Sequence, residues 1–168
     1  MTELDVRMIR RMLNKQNELI SDTMRKFDLK SISEEQISLA LLCEVGEFIS
    51  ETKQEWCWWM ENPPAVDESK KLGEFIDIWS LVLTRAIIGG HVYGLGCLSW
   101  INKFIEEEKQ IYREFGLTKV LLDLVSYKSW SIEMIIVLSE ELGYTLDQIY
   151  EEFMKKNEIN HERLESGY

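Results

Sequence analysis

Apolar residues recur at steps of three and four positions along most of this chain, which is the spacing of one buried helix face. Between residues 4 and 27 this stripe is interrupted at Gln16 and otherwise consists of Val6, Ile9, Leu13, Ile20, Met24 and Phe27. No segment shows a convincing alternation of apolar and polar residues, which is the pattern of a half-buried strand. The sequence therefore predicts an all-α fold.

Caps and glycines give the predicted ends of the helices. Ser33 and Thr145 each precede a glutamine by three positions, which is the form of a capping box, and Asp67 is a further candidate N-cap. A glycine-rich break at residues 89–97 and a single glycine at 116 each end a helix. The predicted helices cover residues 4–27, 33 towards 59, 67 to 89, 98–115, 118–127, 131–142 and a last one from 145.

Two of the predicted helices carry acidic pairs in strongly apolar stretches, Glu44 with Glu47 and Glu74 with Asp77. Residues three apart share one helix face, so each pair directs two carboxylates the same way. Unpaired carboxylates are costly in a site of low dielectric constant, and a bound cation offsets their charge. Because Mg²⁺ prefers oxygen ligands, the four carboxylates predict a Mg²⁺ site between two antiparallel helices.

For a single pair of glutamates three positions apart, the alternative interpretation is an ordinary solvated helix face. Two such pairs in apolar surroundings favour metal binding, and clustered acids of this kind are typical of catalytic sites. A non-catalytic helical interaction module, whose acid pairs are only structural, is the alternative from a different functional class.

Length and charge limit the classes of protein to consider. A chain of 168 residues with no low-complexity run is predicted to form one domain over residues 1–168. Its formal net charge of −11 disfavours nucleic acid and anionic membranes as partners, because clustered Lys and Arg bind phosphate backbones. There is no signal pattern and no apolar run of roughly 18 residues. Cys43, Cys57 and Cys97 are widely spaced, which favours reduced thiols and a cytoplasmic protein.

Basic and amide side chains gather near the end of this acidic chain. Lys156, Asn160 and Arg163 follow helical spacing and could share one face. Arginine binds phosphate oxygens in a bidentate manner and lysine adds a mobile charge, so the segment could supply the cationic half of a phosphate site. The alternative interpretation is a helix C-terminus whose cations complement the helix dipole.

Trp56, Trp58 and Trp59 form an aromatic cluster soon after the first acid pair. Large aromatic rings usually serve in cores and interfaces, and we favour that interpretation over stacking on a base. Together with the long apolar helices, the cluster predicts a two-fold homodimer, which is the commonest closed symmetry.

The order of the acid motifs, ExxE followed by 26 residues and then ExxD in a helical chain, resembles the all-α nucleoside triphosphate pyrophosphohydrolases of the MazG-like superfamily. Within that superfamily the chain is most similar to the dimeric dUTPases. The discriminating features are the C-terminal spacing KxxxNxxRxxxxY, which begins at Lys156 and ends at Tyr168, and Gln16 in the first helix.

The resemblance implies a helical bundle that hydrolyses dUTP to dUMP and pyrophosphate with Mg²⁺ as cofactor. It implies that Glu44, Glu47, Glu74 and Asp77 hold Mg²⁺ and that a metal-activated water attacks the β-phosphorus. Glu44 is the implied carboxylate that orients this water. A pyrophosphohydrolase for another nucleotide, such as dCTP, would use the same carboxylates and is the alternative within the enzyme class.

The implied substrate contacts come from both ends of the chain. The resemblance assigns the phosphates to Lys156 and Arg163, and it assigns phosphate or sugar to Asn160 and Tyr168. It assigns the base to Gln16, which approaches from the first helix.

The chain departs from the family pattern just after the first acid motif. Dimeric dUTPases usually carry phosphate-binding lysines there, whereas residues 56–60 of this chain contain none. Lys53 is the nearest replacement, and we expect it to contribute to phosphate binding.

Overall fold

A computed structural model describes residues 1–90, 98–126 and 131–167. Within these ranges every regular element is an α-helix, which confirms the predicted all-α fold. None of the described helices combines the length and the apolar character needed to cross a membrane. Tyr168 and most of the predicted glycine-rich break, at 91–97, lie outside the described residues. In chain order the helices are α1 (Glu3–Lys26), α2 (Glu34–Glu51), α3 (Lys53–Trp56), α4 (Glu68–Ile88), α5 (Leu98–Ser126), α6 (Ser131–Glu141) and α7 (Leu146–Ser166).

The predicted N-caps begin α2, α4 and α7. At the start of α2 the Ser33 N–H donates to Gln36 Oε1 at 2.9 Å, and the Gln36 N–H donates to Ser33 Oγ at 3.2 Å. Thr145 begins α7 with the same reciprocal capping box. The Asp67 carboxylate caps α4 by accepting from two backbone N–H groups, each at 3.1 Å. These local bonds set the starts of the helices that carry the predicted acids and bases.

The second helix is shorter than the predicted helix from residue 33 towards residue 59. α2 ends at Glu51, because both the N–H and the hydroxyl of Thr52 donate to the Ile49 carbonyl, at 3.0 and 2.9 Å. These bonds tighten the last turn and replace the hydrogen-bond pattern that would continue the helix. The single turn α3 follows, and the chain then leaves the helical path.

The aromatic cluster of Trp56, Trp58 and Trp59 lies on the surface, so these rings do not belong to the core of the chain, and their predicted role in an interface stays a prediction. Trp58 is 89% exposed, and the other two rings are also exposed. The early end of α2 is the reason, because the rings lie at the end of α3 and in the turn after it. They pack on each other edge to face, with ring centroids 5.4 and 5.7 Å from that of Trp59.

The fifth helix breaks at the predicted glycine. Gly116 has φ 73° and ψ −175°, so residues 98–115 and 117–126 form two helical segments joined by a kink. Positive φ is readily available to glycine and costly for residues with a Cβ atom. The predicted stop after residue 115 is therefore confirmed.

α4 is the central helix of the bundle, since α1, α2, α6 and α7 all pack against it. Many of its apolar side chains are completely buried, among them Phe75 and Trp79. The Trp79 indole N–H donates to Ser139 Oγ on α6 at 3.0 Å, which satisfies a buried polar group. Glu74 and Asp77 alternate with these core residues and are partly buried, so they lie at the edge of the core.

α2 and α4 run antiparallel, as predicted. Arg85, near the end of α4, donates to Ser38 Oγ near the start of α2 at 3.0 Å. Lys70, near the start of α4, forms an ion pair with Glu51 at the end of α2, with 2.6 Å between nitrogen and oxygen. The acid pairs of both helices lie between these two contacts.

Candidate active site

Three of the four predicted carboxylates converge between α2 and α4. One oxygen from each of Glu44, Glu74 and Asp77 lies within 4.8 Å of the other two. All three side chains are partly buried. Glu74 and Asp77 share a face of α4 because they are three residues apart, and the packing of the two helices turns this face towards Glu44.

Glu47, the fourth predicted carboxylate, lies almost one turn further along α2 and is exposed. It is not one of the three residues that converge. Its charge nevertheless acts on the site. Burial is the main cause of the raised pKa of Glu44 and of Asp77, and repulsion from Glu47 raises both pKa values further. The structure places Glu47 at the rim of the carboxylate cluster.

The carboxylate cluster has an excess of negative charge. Burial raises the pKa of Glu44 to about 7, and repulsion from Asp77, Glu47 and Glu74 adds to the shift. The Lys156 charge acts in the opposite direction. A carboxylate with so high a pKa is partly protonated at neutral pH unless a further cation arrives.

Lys156 connects α7 to the carboxylate cluster. Its ammonium group contacts Asp77 Oδ2 and donates to the Gly73 carbonyl at 2.9 Å. Burial raises the pKa of Asp77, while the bond to Lys156 and, more weakly, the charge of Arg163 lower it. The sequence carries no signal for the role of Gly73, because a backbone carbonyl is the same in every residue.

The other predicted residues of α7 lie on the same side of that helix. Asn160 is one turn after Lys156 and is partly buried, and Arg163 lies almost one further turn on and is exposed. Tyr168, the last member of the motif, is outside the described residues. The structure thus brings Lys156 to the carboxylates, with Asn160 and Arg163 further along the helix.

Gln16 is buried in α1 beside the central helix. Its amide nitrogen donates to Thr84 Oγ1 on α4 at 3.0 Å. Its Oε1 atom is buried and has no hydrogen-bond partner among the described residues. Thr84 lies about 10 Å along the α4 axis from Asp77, so Gln16 is about two helical turns from the carboxylates.

Lys53 lies beyond the C-terminal end of α2. It is the first residue of α3 and is partly buried. Its carbonyl accepts a hydrogen bond from the Cys57 N–H at 3.0 Å, which closes the single turn of that helix. The predicted role of Lys53 in phosphate binding stays a prediction.

The donor set of the cluster fits a hard divalent cation. Carboxylate oxygens are the ligands that Mg²⁺ prefers, and three of them meet within 4.8 Å in a partly buried site. The ammonium of Lys156 and the guanidinium of Arg163 act on the same site from α7, and such groups suit phosphate oxygens. Carboxylates suited to a cation thus lie next to basic side chains suited to phosphate. This combination is what a reaction on a polyphosphate requires.

Comparison with known proteins gives the family. A family model described as dUTPase matches residues 8–168, which include α2 to α7 and all of α1 except its first five residues. Neither the curated proteins nor the solved structures contain a match. The match covers nearly the whole chain, including the carboxylates of α2 and α4 and the bases of α7. The chain therefore belongs to the all-α dUTPase family and is an enzyme of that family's kind, a dUTP diphosphatase.

Proposed function

We propose that this chain hydrolyses dUTP to dUMP and pyrophosphate in a Mg²⁺-dependent reaction at the carboxylate cluster between α2 and α4. The observation that carries the proposal is the convergence of Glu44, Glu74 and Asp77 within 4.8 Å. Members of the family generally use a divalent metal. Oxygen ligands, partial burial and an excess of negative charge all suit Mg²⁺ at this position.

The carboxylates are proposed to hold the cation, with Glu47 joining the three converging residues from the rim. Mg²⁺, when bound, offsets the negative charge of the phosphate oxygens and activates water for attack on phosphorus. Glu44 is proposed to orient the attacking water. It belongs to α2, whereas Glu74 and Asp77 belong to α4, so the site depends on the packing of two helices.

The bases of α7 are proposed to bind the phosphates opposite the carboxylates. Lys156 and Arg163 supply the positive charge, and their influence on Asp77 supports this position. Asn160 lies between them on the helix and is proposed, with Tyr168, to contact phosphate or sugar. Lys53 is proposed to add a further charge from the start of α3, in place of the lysines that dimeric dUTPases usually carry in the segment that corresponds to residues 56–60.

Gln16 is proposed to recognise the base. Its nitrogen is already bonded to Thr84, and its oxygen is a buried acceptor without a partner among the described residues. Such an acceptor suits the N3–H group of uracil. Cytosine presents an acceptor at N3, which would leave two acceptors facing each other, and an unsatisfied buried polar group is costly. The alternative substrate dCTP is therefore disfavoured.

We also propose an oligomeric state, a set of partners and a location for the enzyme. We propose that each chain forms one domain and that two chains form a homodimer. The exposed rings of Trp56, Trp58 and Trp59 support the dimer, since exposed apolar patches mark interfaces. The net charge of −11 supports a partner set without nucleic acid or anionic membranes. Free thiols at Cys43 and Cys57 are consistent with a reducing, cytoplasmic location.

Product analysis tests the proposed reaction. The purified chain is incubated with dUTP, dCTP, dTTP and UTP, with and without Mg²⁺, and the products are separated by ion-exchange chromatography. We expect dUMP and pyrophosphate from dUTP only when Mg²⁺ is present, and kcat/KM for dCTP at least about a hundred-fold lower. Equal turnover of dCTP would contradict the base assignment, and the absence of pyrophosphate from every nucleotide would contradict the catalytic function.

Binding of Mg²⁺ to the nucleotide-free chain is expected to release protons near neutral pH. The pKa of Glu44 is raised to about 7, so the fraction of protonated Glu44 falls as the pH rises through that value. A cation binds the carboxylate and not the acid, and Mg²⁺ affinity should therefore rise between about pH 6 and pH 8, by at most about tenfold per pH unit. Calorimetric titration in buffers of different ionisation enthalpy measures the released protons. Glu44→Gln is the control, and its residual affinity should lack this pH dependence.

A further inference from the structure

Lys156 is in direct contact with one member of the carboxylate cluster. Its ammonium group contacts Asp77 Oδ2, and its second acceptor is the Gly73 carbonyl at 2.9 Å. The side chains of Lys156 and Asp77 are each 23% exposed, so this ion pair is largely shielded from solvent. Its partner Asp77 is also one of the three carboxylates that converge. One carboxylate therefore serves both the ion pair and the candidate cation site.

We propose that Lys156 competes with the divalent cation for Asp77, so that the ammonium group and the cation bind this carboxylate in turn. The proposal rests on the proposed function, because it takes the carboxylate cluster as a cation site. It adds that Lys156 has two partners, Asp77 before the cation binds and substrate phosphate afterwards.

Charge and distance support the competition. A divalent cation lies roughly 2 to 2.6 Å from its carboxylate oxygens, and the Lys156 ammonium is already in contact with the same carboxylate. Both cations would then lie within a few ångströms of each other in a partly buried site, where solvent screens repulsion only weakly. Lys156 is a single charge on a flexible stem and can move, whereas three converging carboxylates hold the divalent cation.

The position of Lys156 on α7 supports the second partner. Asn160 and Arg163 follow it on the same face of the helix, and this face is the proposed phosphate-binding surface. An ammonium group released from Asp77 can turn along its own helix towards that surface while the helix stays in place. Cation binding would thus prepare Lys156 for the nucleotide, and by linkage the nucleotide would strengthen cation binding by the same factor.

Binding of Mn²⁺ in the absence of nucleotide tests the competition. Mn²⁺ substitutes for Mg²⁺ at oxygen sites, and its binding is measured by electron paramagnetic resonance and by calorimetry. Lys156→Met keeps the length of the side chain and removes its charge, and we expect this variant to bind Mn²⁺ about tenfold more tightly than the unmodified chain. Lys156→Gln should behave in the same way. Lys155→Met is the matched control, because Lys155 is the neighbouring exposed lysine and pairs with Glu152.

A double-mutant cycle separates direct competition from the loss of one positive charge. Asp77→Asn should weaken Mn²⁺ binding by itself, and it also removes the carboxylate for which Lys156 is proposed to compete. In the Asp77→Asn background, Lys156→Met should change Mn²⁺ affinity by less than about twofold. A tenfold tightening that persists in that background would overturn the proposal, because it would show a general effect of charge.

The outcomes distinguish this inference from the proposed function. Unchanged or weaker Mn²⁺ binding by Lys156→Met, with dUTP hydrolysis intact in the unmodified chain, would overturn the competition and leave the proposed function standing. Tighter binding by the variant, in a chain that releases no pyrophosphate, would support the competition and contradict the proposed reaction. A chain that binds no Mn²⁺ at all would overturn both.

Discussion

Replacing Glu74 with glutamine is expected to lower kcat/KM for dUTP by about a thousand-fold, which corresponds to about 4 kcal/mol of transition-state stabilisation. Glu74 is one of the three residues whose oxygens converge within 4.8 Å. Glutamine keeps the shape of the side chain and removes the negative charge, so the proposed cation loses a ligand and one unit of attraction. Steady-state kinetics with dUTP and saturating Mg²⁺ measure the loss, and Mn²⁺ titration should show weaker binding.

The stability of the Glu74→Gln variant distinguishes a catalytic role from a structural one. The Glu74 charge repels Glu44, so its removal should leave the thermal midpoint of the metal-free chain unchanged or raise it. Glu114→Gln, at an exposed position of α5, is the control and should keep full activity. Unchanged kcat/KM in Glu74→Gln would show that catalysis occurs elsewhere, and a lost activity with a lowered midpoint would indicate a role in folding.

Arg85→Ala should lower the free energy of unfolding by about 3 to 5 kcal/mol, the scale for removal of one partner from a buried charged network. Arg85 is 1% exposed. Its guanidinium donates to the carbonyls of Leu124 and Val125 at the end of α5 and to Ser38 Oγ on α2. Alanine leaves one buried acceptor, the Leu124 carbonyl, and two partly buried acceptors without their donor, and it leaves a cavity between three helices. The midpoint of thermal unfolding should fall by roughly 10 °C for a chain of this size.

Two further variants sharpen the Arg85 experiment. Arg85→Lys should be more stable than Arg85→Ala but less stable than the unmodified chain, because an ammonium group cannot reproduce the planar guanidinium that binds several acceptors at once. Arg113→Ala, at an exposed position of α5, should change the stability by less than about 0.5 kcal/mol. If Arg85→Ala unfolds at the midpoint of the unmodified chain, the bonds between α4 and its neighbours do not contribute to stability as argued.

The sequence predicted the helices well because their signals are local. A capping box such as Ser33 with Gln36 is completed within four residues, so its bonds depend little on the rest of the fold. Gly116 acts through its own backbone conformation. The apolar period of residues 4–27 identified the inner face of α1, where five of its members, Val6, Ile9, Leu13, Gln16 and Ile20, are buried. The all-α fold followed from these signals together.

The predictions that were wrong concern side chains whose bonding partners cannot be read from the apolar repeat of a helix. Thr52 ends α2 by bonding back to Ile49, and an apolar repeat that continues towards residue 59 conceals that stop. The rings of Trp56 and Trp58 are consequently exposed, although large aromatic rings usually lie in a core or an interface.

The sequence by itself determined which residues could form the site, since the spacing of three puts Glu74 and Asp77 on one face of a helix. Only the tertiary structure decided that Glu44 joins them while Glu47 stays at the rim. It also decided that Lys156 contacts Asp77, a residue 79 positions away in the chain. The physical reason is that helix period and caps depend on near neighbours, whereas these contacts depend on how whole helices cross and on which side chains fill the space between them.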